Sequence, residues 1–110
     1  KLQVLMPGET AAPGTATGKT GTPTPQIAGV EFDVTVNAVD DTWNLVTTGR
    51  DVVNITCSDD WAQLPADAAL VNGTRTFTVM FNQAGTFTVT ATDVTDPTKT
   101  ANTGSPTLSQ

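Results

Sequence analysis

Apolar and polar residues alternate strictly along three stretches of this chain. The alternation runs through residues 30–38, 76–79 and 86–92, where Val, Phe and Ala take one set of positions and Thr, Asp, Asn or Glu take the other. A period of two turns one set of side chains toward a core and the other toward water, which is typical of antiparallel β-strands. The nearest candidate for a helical period, 62–70, predicts a helical turn at most.

Turn residues divide the chain into short strands. Asn72-Gly73 precedes one strand, the segment 82–85 has a length suited to a hairpin, and Asp96-Pro97 ends another strand. About seven short antiparallel strands in two sheets are typical of an immunoglobulin-like β-sandwich, and this all-β fold is our prediction. The predicted strands, of which the third is short and the fifth weak, are Leu2–Met6, Val30–Val39, Leu45–Thr47, Val52–Ser58, Ala69–Val71, Thr74–Phe81, Thr86–Val94 and Pro106–Ser109.

The same alternation predicts the core. The side chains expected to point inward are Phe32, Val34, Val36, Val53, Ile55, Cys57, Phe77, Val79, Phe81, Phe87, Val89 and Ala91. Those expected to close the ends of the core are Leu2, Val4, Leu64, Leu70 and Leu108. Together they bury enough apolar surface for a stable domain of this size.

Residues 7–29 do not fit this pattern, since they are dense in Gly, Pro, Thr and Ala and have no periodicity. A loop of that length is unusual in a compact domain. The segment is either an extended strap along a sheet edge or a flexible linker between two repeats. Because Leu2–Met6 has the pattern of a strand of its own, the strap is favoured, and residues 1–110 are expected to form a single domain.

The charge and hydrophobicity of the chain exclude two classes of partner. The net charge is −6, with 5 Lys and Arg residues against 11 Asp and Glu residues. Binding to nucleic acid needs a basic surface, and the few basic residues are scattered, so no nucleic acid partner is expected. Membrane insertion is not expected either, because no apolar run approaches the roughly 18 residues that span a bilayer.

The residues that carry most enzyme chemistry are missing or have no partner. The chain has no His and one cysteine, Cys57. The commonest general base is therefore absent, and Cys57 alone can form neither an internal disulfide nor a structural zinc site. The serines lack a His partner, and the adjacent Asp59 and Asp60 would point to opposite faces of a strand. We expect no enzymatic activity, no catalytic residue and no organic cofactor.

Three stretches of the chain share a pattern with a known kind of repeat. They are 32–40 with 44–46, then 53–59, and then 73–81 with 84–93, of which the closing Ala-Gly-Thr-Phe-Thr-Val-Thr-Ala-Thr-Asp is the most specific. These stretches resemble the bacterial immunoglobulin-like (Big) repeats of adhesins and other large surface proteins. The similarity covers about Val30 to Asp93. Trp43 departs from the pattern, since many members of that family carry Gly in this turn.

The resemblance implies a structural repeat of a secreted, extracellular or cell-surface protein, acting as a spacer, a stalk or a filament protomer. Its partners would be neighbouring repeats or identical protomers. The opening Lys1–Thr10 resembles the first strand of one repeat in an array, so the chain is expected to be an excerpt of a longer polypeptide. The alternative is an adhesin or carbohydrate-binding module that holds a cell-surface or glycan ligand with the loops at one pole.

Oxygen-bearing side chains gather in two turns that a sandwich of this order places at the same pole. They are Asp40, Asp41, Asn44, Asp93 and Asp96. Ca²⁺ takes six to eight oxygen ligands of this kind, so a calcium ion that stiffens the junction between repeats is one hypothesis. The other is that Asp and Asn serve only as good turn formers.

The two tryptophans, Trp43 and Trp61, are the candidate ligand-binding residues. An exposed indole can stack on a sugar ring, which would suit a carbohydrate-binding module. The predicted strand order sends the two residues to opposite poles, which counts against one shared platform. The favoured alternative is that each caps one end of the core.

Overall fold

The computed structural model describes every residue from Lys1 to Gln110, and its only regular elements are β-strands. The all-β prediction is confirmed, but the strands number eleven rather than about seven. None of the chain forms a helix that could cross a membrane. The strands are β1 Leu2–Leu5, β2 Glu9–Ala11, β3 Lys19–Gly21, β4 Glu31–Ala38, β5 Val52–Cys57, β6 Ala68–Ala69, β7 Thr74–Met80, β8 Gly85–Phe87, β9 Val89–Asp93, β10 Asn102–Thr103 and β11 Thr107–Ser109.

Two main antiparallel sheets form the body of the molecule. The first has the strand order β1-β4-β7, and the second has the order β10-β9-β5-β6. In the first sheet Val36 of β4 lies opposite Val4 of β1 and Val34 lies opposite Phe77 of β7, and in the second Ile55 of β5 lies opposite Ala91 of β9. These registers place the apolar positions of neighbouring strands on the same face, as the period of two requires.

The strand predicted over Thr86–Val94 is interrupted at Thr88, so that it forms β8 and β9. β8 pairs with β11, whereas β9 pairs with β5 and β10. The segment 82–85 is not a hairpin turn, because β7 and β8 lie in different sheets and it carries the chain from one to the other. Residues 26–28 run parallel to the end of β11, with Gln26 N–H donating to the Leu108 carbonyl and Gln110 N–H to the Gln26 carbonyl.

Two weaker strand predictions fail in part. Leu45–Thr47 forms no strand, and only an isolated bridge joins Leu45 to Val39. The strand predicted over Ala69–Val71 is shifted to Ala68–Ala69, because the chain then turns at Asn72-Gly73. Both turn residues have positive φ, 53° and 81°, the geometry that makes Asn-Gly a tight turn. Residues 62–70 form no helical turn.

One apolar core holds side chains from both main sheets. Its members are Leu2, Val4, Met6, Phe32, Val34, Val36, Val53, Ile55, Leu70, Phe77, Val79, Phe81, Val89 and Ala91. Phe81 is fully buried, and its ring centroid lies 4.9 Å from that of Phe32 and 5.4 Å from that of Phe87. Cys57 and Phe87 are half-buried at the margin, and burial raises the pKa of the Cys57 thiol. The prediction that Leu64 and Leu108 close the core is wrong, since they are 43% and 45% exposed.

Residues 7–29, for which the sequence left a strap or a linker open, contain the β2–β3 hairpin followed by extended chain. Glu9 of β2 anchors this hairpin with a side chain only 2% exposed. Its carboxylate accepts hydrogen bonds from Met6 N–H (2.9 Å) and the Ser105 hydroxyl (2.9 Å), and it lies 3.1 Å from Lys19 Nζ. The hairpin is thus tied to the ends of two other segments through one buried carboxylate.

A row of buried polar side chains crosses the outer face of the first sheet beneath the hairpin loop. Asn37 donates to Gln3 Oε1 (3.3 Å) and accepts from the Thr74 hydroxyl (2.7 Å), and Gln3 Nε2 donates to the Gly18 carbonyl (2.7 Å). Gln3 is 1% exposed, so these hydrogen bonds replace the water that the amides lose. Sequence alternation assigned this face to solvent, and the hairpin covers it.

The two chain termini lie at opposite ends of the fold. The amino group of Lys1 donates to the Val39 carbonyl (2.9 Å), just beyond the end of β4. Gln110 bonds to Gln26 and Ala28, next to the start of β4. We call these the Lys1 end and the Gln110 end.

Candidate functional site

Asp40 organises the turn that follows β4 at the Lys1 end. Its Oδ1 accepts hydrogen bonds from Thr42 N–H (2.9 Å), the Thr42 hydroxyl (3.0 Å) and Asn44 N–H (2.9 Å), and its Oδ2 accepts from the Asn44 amide (3.3 Å). The backbone hydrogen bond from Asn44, supported by those of Thr42, lowers the pKa of Asp40. The carboxylate oxygens are therefore occupied by the turn that they hold, as expected of an Asp that forms a local turn.

A second polar cluster at the same end joins the start of β5 to the end of β9. Lys99 Nζ lies 2.6 Å from Asp51 Oδ2 and 4.0 Å from Asp93 Oδ2. Asp93 is 1% exposed; its Oδ1 accepts from Asp96 N–H (2.9 Å), whereas its Oδ2 has no hydrogen-bond partner. Burial, followed by the neighbouring Asp51 carboxylate, raises the pKa of Asp93, and the hydrogen bond from Lys99 lowers the pKa of Asp51.

The five residues of the calcium hypothesis do not come together as one set. Asp40 and Asn44 bind each other, Asp93 and Asp96 belong to the Lys99 cluster, and the exposed Asp41 makes no side-chain hydrogen bond. No three acidic side chains converge as metal ligands would. The Lys99 ammonium takes the position beside the carboxylates of Asp51 and Asp93 that a cation would need.

A cavity of about 240 Å³ lies beside the Lys99 cluster at the same end of the fold. Its walls include Ala38 at the end of β4 and Asp93 at the end of β9, which agrees with the expectation that the turns after these strands share one pole. Lys1, Arg50 and Lys99 bring positive charge to its rim. Sequence reasoning did not include Asp51 or Lys99 in this site, because the two residues are 48 positions apart and only the sheet brings them into contact.

At pH 7.5, the Asp93→Asn variant is expected to be more stable than the original chain. The raised pKa means that the folded protein binds this proton more tightly than the unfolded chain. Asp93 therefore favours folding at acidic pH, and that contribution is lost as the pH rises through the folded-state pKa. Asparagine keeps the acceptor for Asp96 N–H and turns an amide donor toward Asp51, a hydrogen bond of about 1 kcal/mol.

The change in stability is measured by urea unfolding of the D93N variant and the original chain at pH 4 and pH 7.5. The gain should be larger at pH 7.5, since protonated Asp93 already resembles the amide at the acidic pH. Asp41→Asn, an exposed neighbour at the same end, is the control and should unfold like the original chain. A D93N variant that is less stable at pH 7.5 would contradict this account of the cluster.

Trp43 is held against the body at the Lys1 end. Its φ of 70° lies in the left-handed region that favours glycine, so the backbone is strained at this residue. The indole packs against Gly18, where there is no room for a Cβ, and Lys1 Nζ lies 3.7 Å from the ring centroid. These contacts offset the backbone strain and leave the indole half-buried.

Trp61 is at the opposite end and is 69% exposed, so it does not cap the core. Its backbone N–H donates to Asp59 Oδ1 (2.8 Å), and its carbonyl accepts from the Asn82 amide (2.6 Å). When the Gln83 amide is turned so that its oxygen faces the indole, Trp61 Nε1–H donates to that oxygen (2.9 Å) and the amide nitrogen donates to Asp59 Oδ1 (3.2 Å). The indole is thus fixed in position while most of its surface faces solvent.

The buried Asp59 is the anchor of this arrangement, and it is 3% exposed. Besides Trp61 N–H, its carboxylate accepts Asn82 N–H (2.9 Å) and Gln83 N–H (3.1 Å) at Oδ2. It therefore joins the loop after β5 to the crossing between the sheets. The sequence offered only a weak signal, an Asp directly after a predicted strand, because the partners Asp59 and Asn82 are 23 positions apart.

No family model, curated protein or solved structure matches the chain.

Proposed function

We propose that this chain is an immunoglobulin-like structural repeat of a secreted or cell-surface protein, a non-catalytic spacer joined in series to its neighbours. The observation that carries the proposal is the position of the termini, with Lys1 at one end of the fold and Gln110 at the other. Copies joined through such termini extend in a line, which is what a spacer or stalk requires.

The strand arrangement supports the immunoglobulin-like part of this proposal. β8 and β9 are two parts of one strand interrupted at Thr88, and β10 and β11 both follow along it. We count β8 and β9 as one strand, and likewise β10 and β11. On that count, the three strands β1, β4 and β7 share a core with the four strands β6, β5, β8–β9 and β10–β11. A division into three and four strands is expected of an immunoglobulin-like sandwich, and it supports the proposal, with the β2–β3 hairpin as an addition.

The direction of the terminal strands suits a module under tension. Tension on Lys1 pulls β1 lengthwise along β4, and tension on Gln110 pulls β11 lengthwise along β8 and residues 26–28. Each pull loads several hydrogen bonds at once instead of opening them one after another. A role as a spacer outside the cell therefore explains the direction of the terminal strands without a ligand.

A chain of two copies, with Gln110 of the first joined directly to Lys1 of the second, tests the proposal. Because the longest extent of one copy is 36 Å, small-angle X-ray scattering should give the two-copy chain close to twice the length of one copy. The single chain measured in the same buffer is the control. A two-copy chain scarcely longer than one copy would mean that the domains fold back side by side and are not spacers.

Glycan binding is the second candidate function, and the exposed, fixed indole of Trp61 is the observation that favours it. Trp43 does not add to such a platform, since it is at the opposite end and in contact with Lys1 and Gly18. A glycan array probed with the original chain and with Trp61→Ala decides between the two, because only a lectin-like site gives a signal that disappears with Trp61.

A further inference from the structure

The exposed apolar side chains of this domain are concentrated toward its two ends. Toward the Gln110 end they are Ile27, Val30, Trp61, Leu64 and Leu108, and toward the Lys1 end they are Leu45, Val46, Val71 and Val94. The outer face of the second sheet instead carries polar side chains, such as those of Thr56, Thr90 and Thr103. Exposed apolar groups gathered at particular places on a surface mark contact sites.

Each end has a compact set of these side chains, which we call a patch. The Gln110-end patch is Ile27, Val30 and Trp61: Val30 N–H bonds to the Ile27 carbonyl, and both Gly29 and Trp61 contact the segment 81–82. The Lys1-end patch is Leu45, Val46 and Val71, of which Leu45 and Val46 contact the buried Gly73 and Val71 precedes it by two residues. Both patches are rigid, because Asp59 and Gln83 hold Trp61 and because Gly73 N–H is bonded to the Gly49 carbonyl.

The two patches have one complementary pair of charged residues beside them. Asp60 is exposed next to Trp61, and Arg50 is exposed and lines a shallow depression together with Val71. Neither residue forms a salt bridge within the chain. A contact between the two patches would bring these opposite charges to the rim of an apolar centre, the usual arrangement of an interface.

We propose that the Gln110-end patch of one copy docks onto the Lys1-end patch of the next copy, so that successive domains form a stiff line instead of beads on a flexible string. This proposal rests on the proposed function, and its occupant is a second copy of the same chain. Ile27 lies beside Gln110, and Val46 lines the same cavity as Lys1, so joining copies through Gln110 and Lys1 brings the two patches close to each other. The contact is small and depends on this covalent linkage, which gives the second patch a high effective concentration.

The contact is heterologous, since two different surfaces meet. A heterologous contact that does not close into a ring continues indefinitely, so an array built in this way grows as a line. Thr-rich sheet faces remain toward the solvent along its length.

The test uses the two-copy chain and places one substitution in either copy. Trp61→Ala in the first copy removes an apolar side chain from the proposed junction, whereas Trp61→Ala in the second copy removes it from a free end. The two chains have the same composition and the same local loss of contacts. Any difference between them therefore reports on the junction alone.

We expect the first-copy variant to melt about 3 °C below the second-copy variant, the shift expected when a domain pair of this size loses one modest contact. Acrylamide quenching gives an independent reading in chains that carry Trp61→Phe in one copy and Trp43→Phe in both. Trp61 of the first copy should be quenched about half as efficiently as Trp61 of the second, because docking excludes water from the junction. Val71→Ser should show the opposite dependence on placement: it should lower the melting temperature more in the second copy, whose Lys1-end patch is at the junction, than in the first.

Charge reversal adds a third measurement. Asp60→Arg in the first copy should weaken the junction, and Arg50→Asp in the second copy should restore it. Equal melting and equal quenching for both placements of Trp61→Ala would overturn the docking proposal.

The experiments distinguish failure of the docking proposal from failure of the proposed spacer function. A two-copy chain with twice the length of one copy but with no dependence on placement is a flexible spacer, so that only the docking proposal fails. A folded-back chain of nearly single-copy length contradicts both proposals. A Trp61-dependent glycan signal from the single chain would assign the Gln110-end patch to a sugar instead of a second copy.

Discussion

Replacing Asp59 by alanine is expected to lower the free energy of unfolding by about 3 kcal/mol. The carboxylate is 3% exposed and accepts hydrogen bonds from the backbone N–H groups of Trp61, Asn82 and Gln83. Alanine leaves these donors without an acceptor in a place that little water reaches, and hydrogen bonds to a charged group are the stronger kind. Urea unfolding followed by fluorescence measures the loss, and the emission of Trp61 also reports whether the indole stays in place.

Two variants show whether the effect comes from these hydrogen bonds. Asp60→Asn changes the next residue, which is exposed and makes no side-chain hydrogen bond, so its unfolding should match that of the original chain. Asp59→Asn keeps the shape and one acceptor oxygen, and it should lie between the original chain and Asp59→Ala. If Asp59→Ala and Asp60→Asn unfolded at the same urea concentration, Asp59 would not be the anchor of the Gln110 end.

Glu9→Ala is expected to cost about 3 kcal/mol as well, because removing one member of a buried ion pair leaves the rest of the group uncompensated. The carboxylate holds Met6 N–H, the Ser105 hydroxyl and Lys19 Nζ, and without it the β2–β3 hairpin loses its attachment to the body. Chemical unfolding measures the cost. Limited proteolysis should show new cleavage within residues 12–18, the loop of the hairpin.

The control for this prediction is Glu31→Gln, which changes a carboxylate that is exposed and has no side-chain partner. Glu9→Gln keeps an acceptor for Met6 N–H but loses the charge opposite Lys19, so we expect a smaller loss than for alanine. A hairpin that remained resistant to protease in Glu9→Ala would mean that the buried row under Gly18 is sufficient to hold it.

Most of the core could be predicted from the alternation of residues. In β4 the positions of Phe32, Val34 and Val36 face the core because a strand turns every second side chain to the same side. Met6 and Val39 were not counted as core, although both are buried. Met6 continues the alternation of Leu2 and Val4, whereas Val39 lies at a position that alternation along β4 assigns to solvent and is buried because β4 ends before it. Leu64 and Leu108 were assigned to the core by their hydrophobicity alone, and both are exposed.

The candidate site was less predictable than the core. The turn formed by Asp40 and Asn44 is local, because the two residues are only four positions apart. The residue types Asp and Asn were therefore enough to predict a turn there. The pairs Lys99–Asp51 and Asp59–Asn82 join residues that are 48 and 23 positions apart, and no short-range pattern marks them. The calcium hypothesis grouped five residues because their side chains carry oxygen. In the structure, some of these residues belong to a local turn and others to the Lys99 cluster.

The sequence by itself determined that the protein is all-β, which residues of the long strands are buried, and where the Asn72-Gly73 turn lies. These properties depend on the two-residue period and on the conformational preferences of single residues, and both act over a few positions. Only the tertiary structure decided that residues 7–29 contain a hairpin, that Glu9 and Asp59 are buried anchors, and that the Trp61 indole is fixed but exposed. Each of these features depends on contacts between distant parts of the chain, because a carboxylate can be buried only where donors from other segments replace its water.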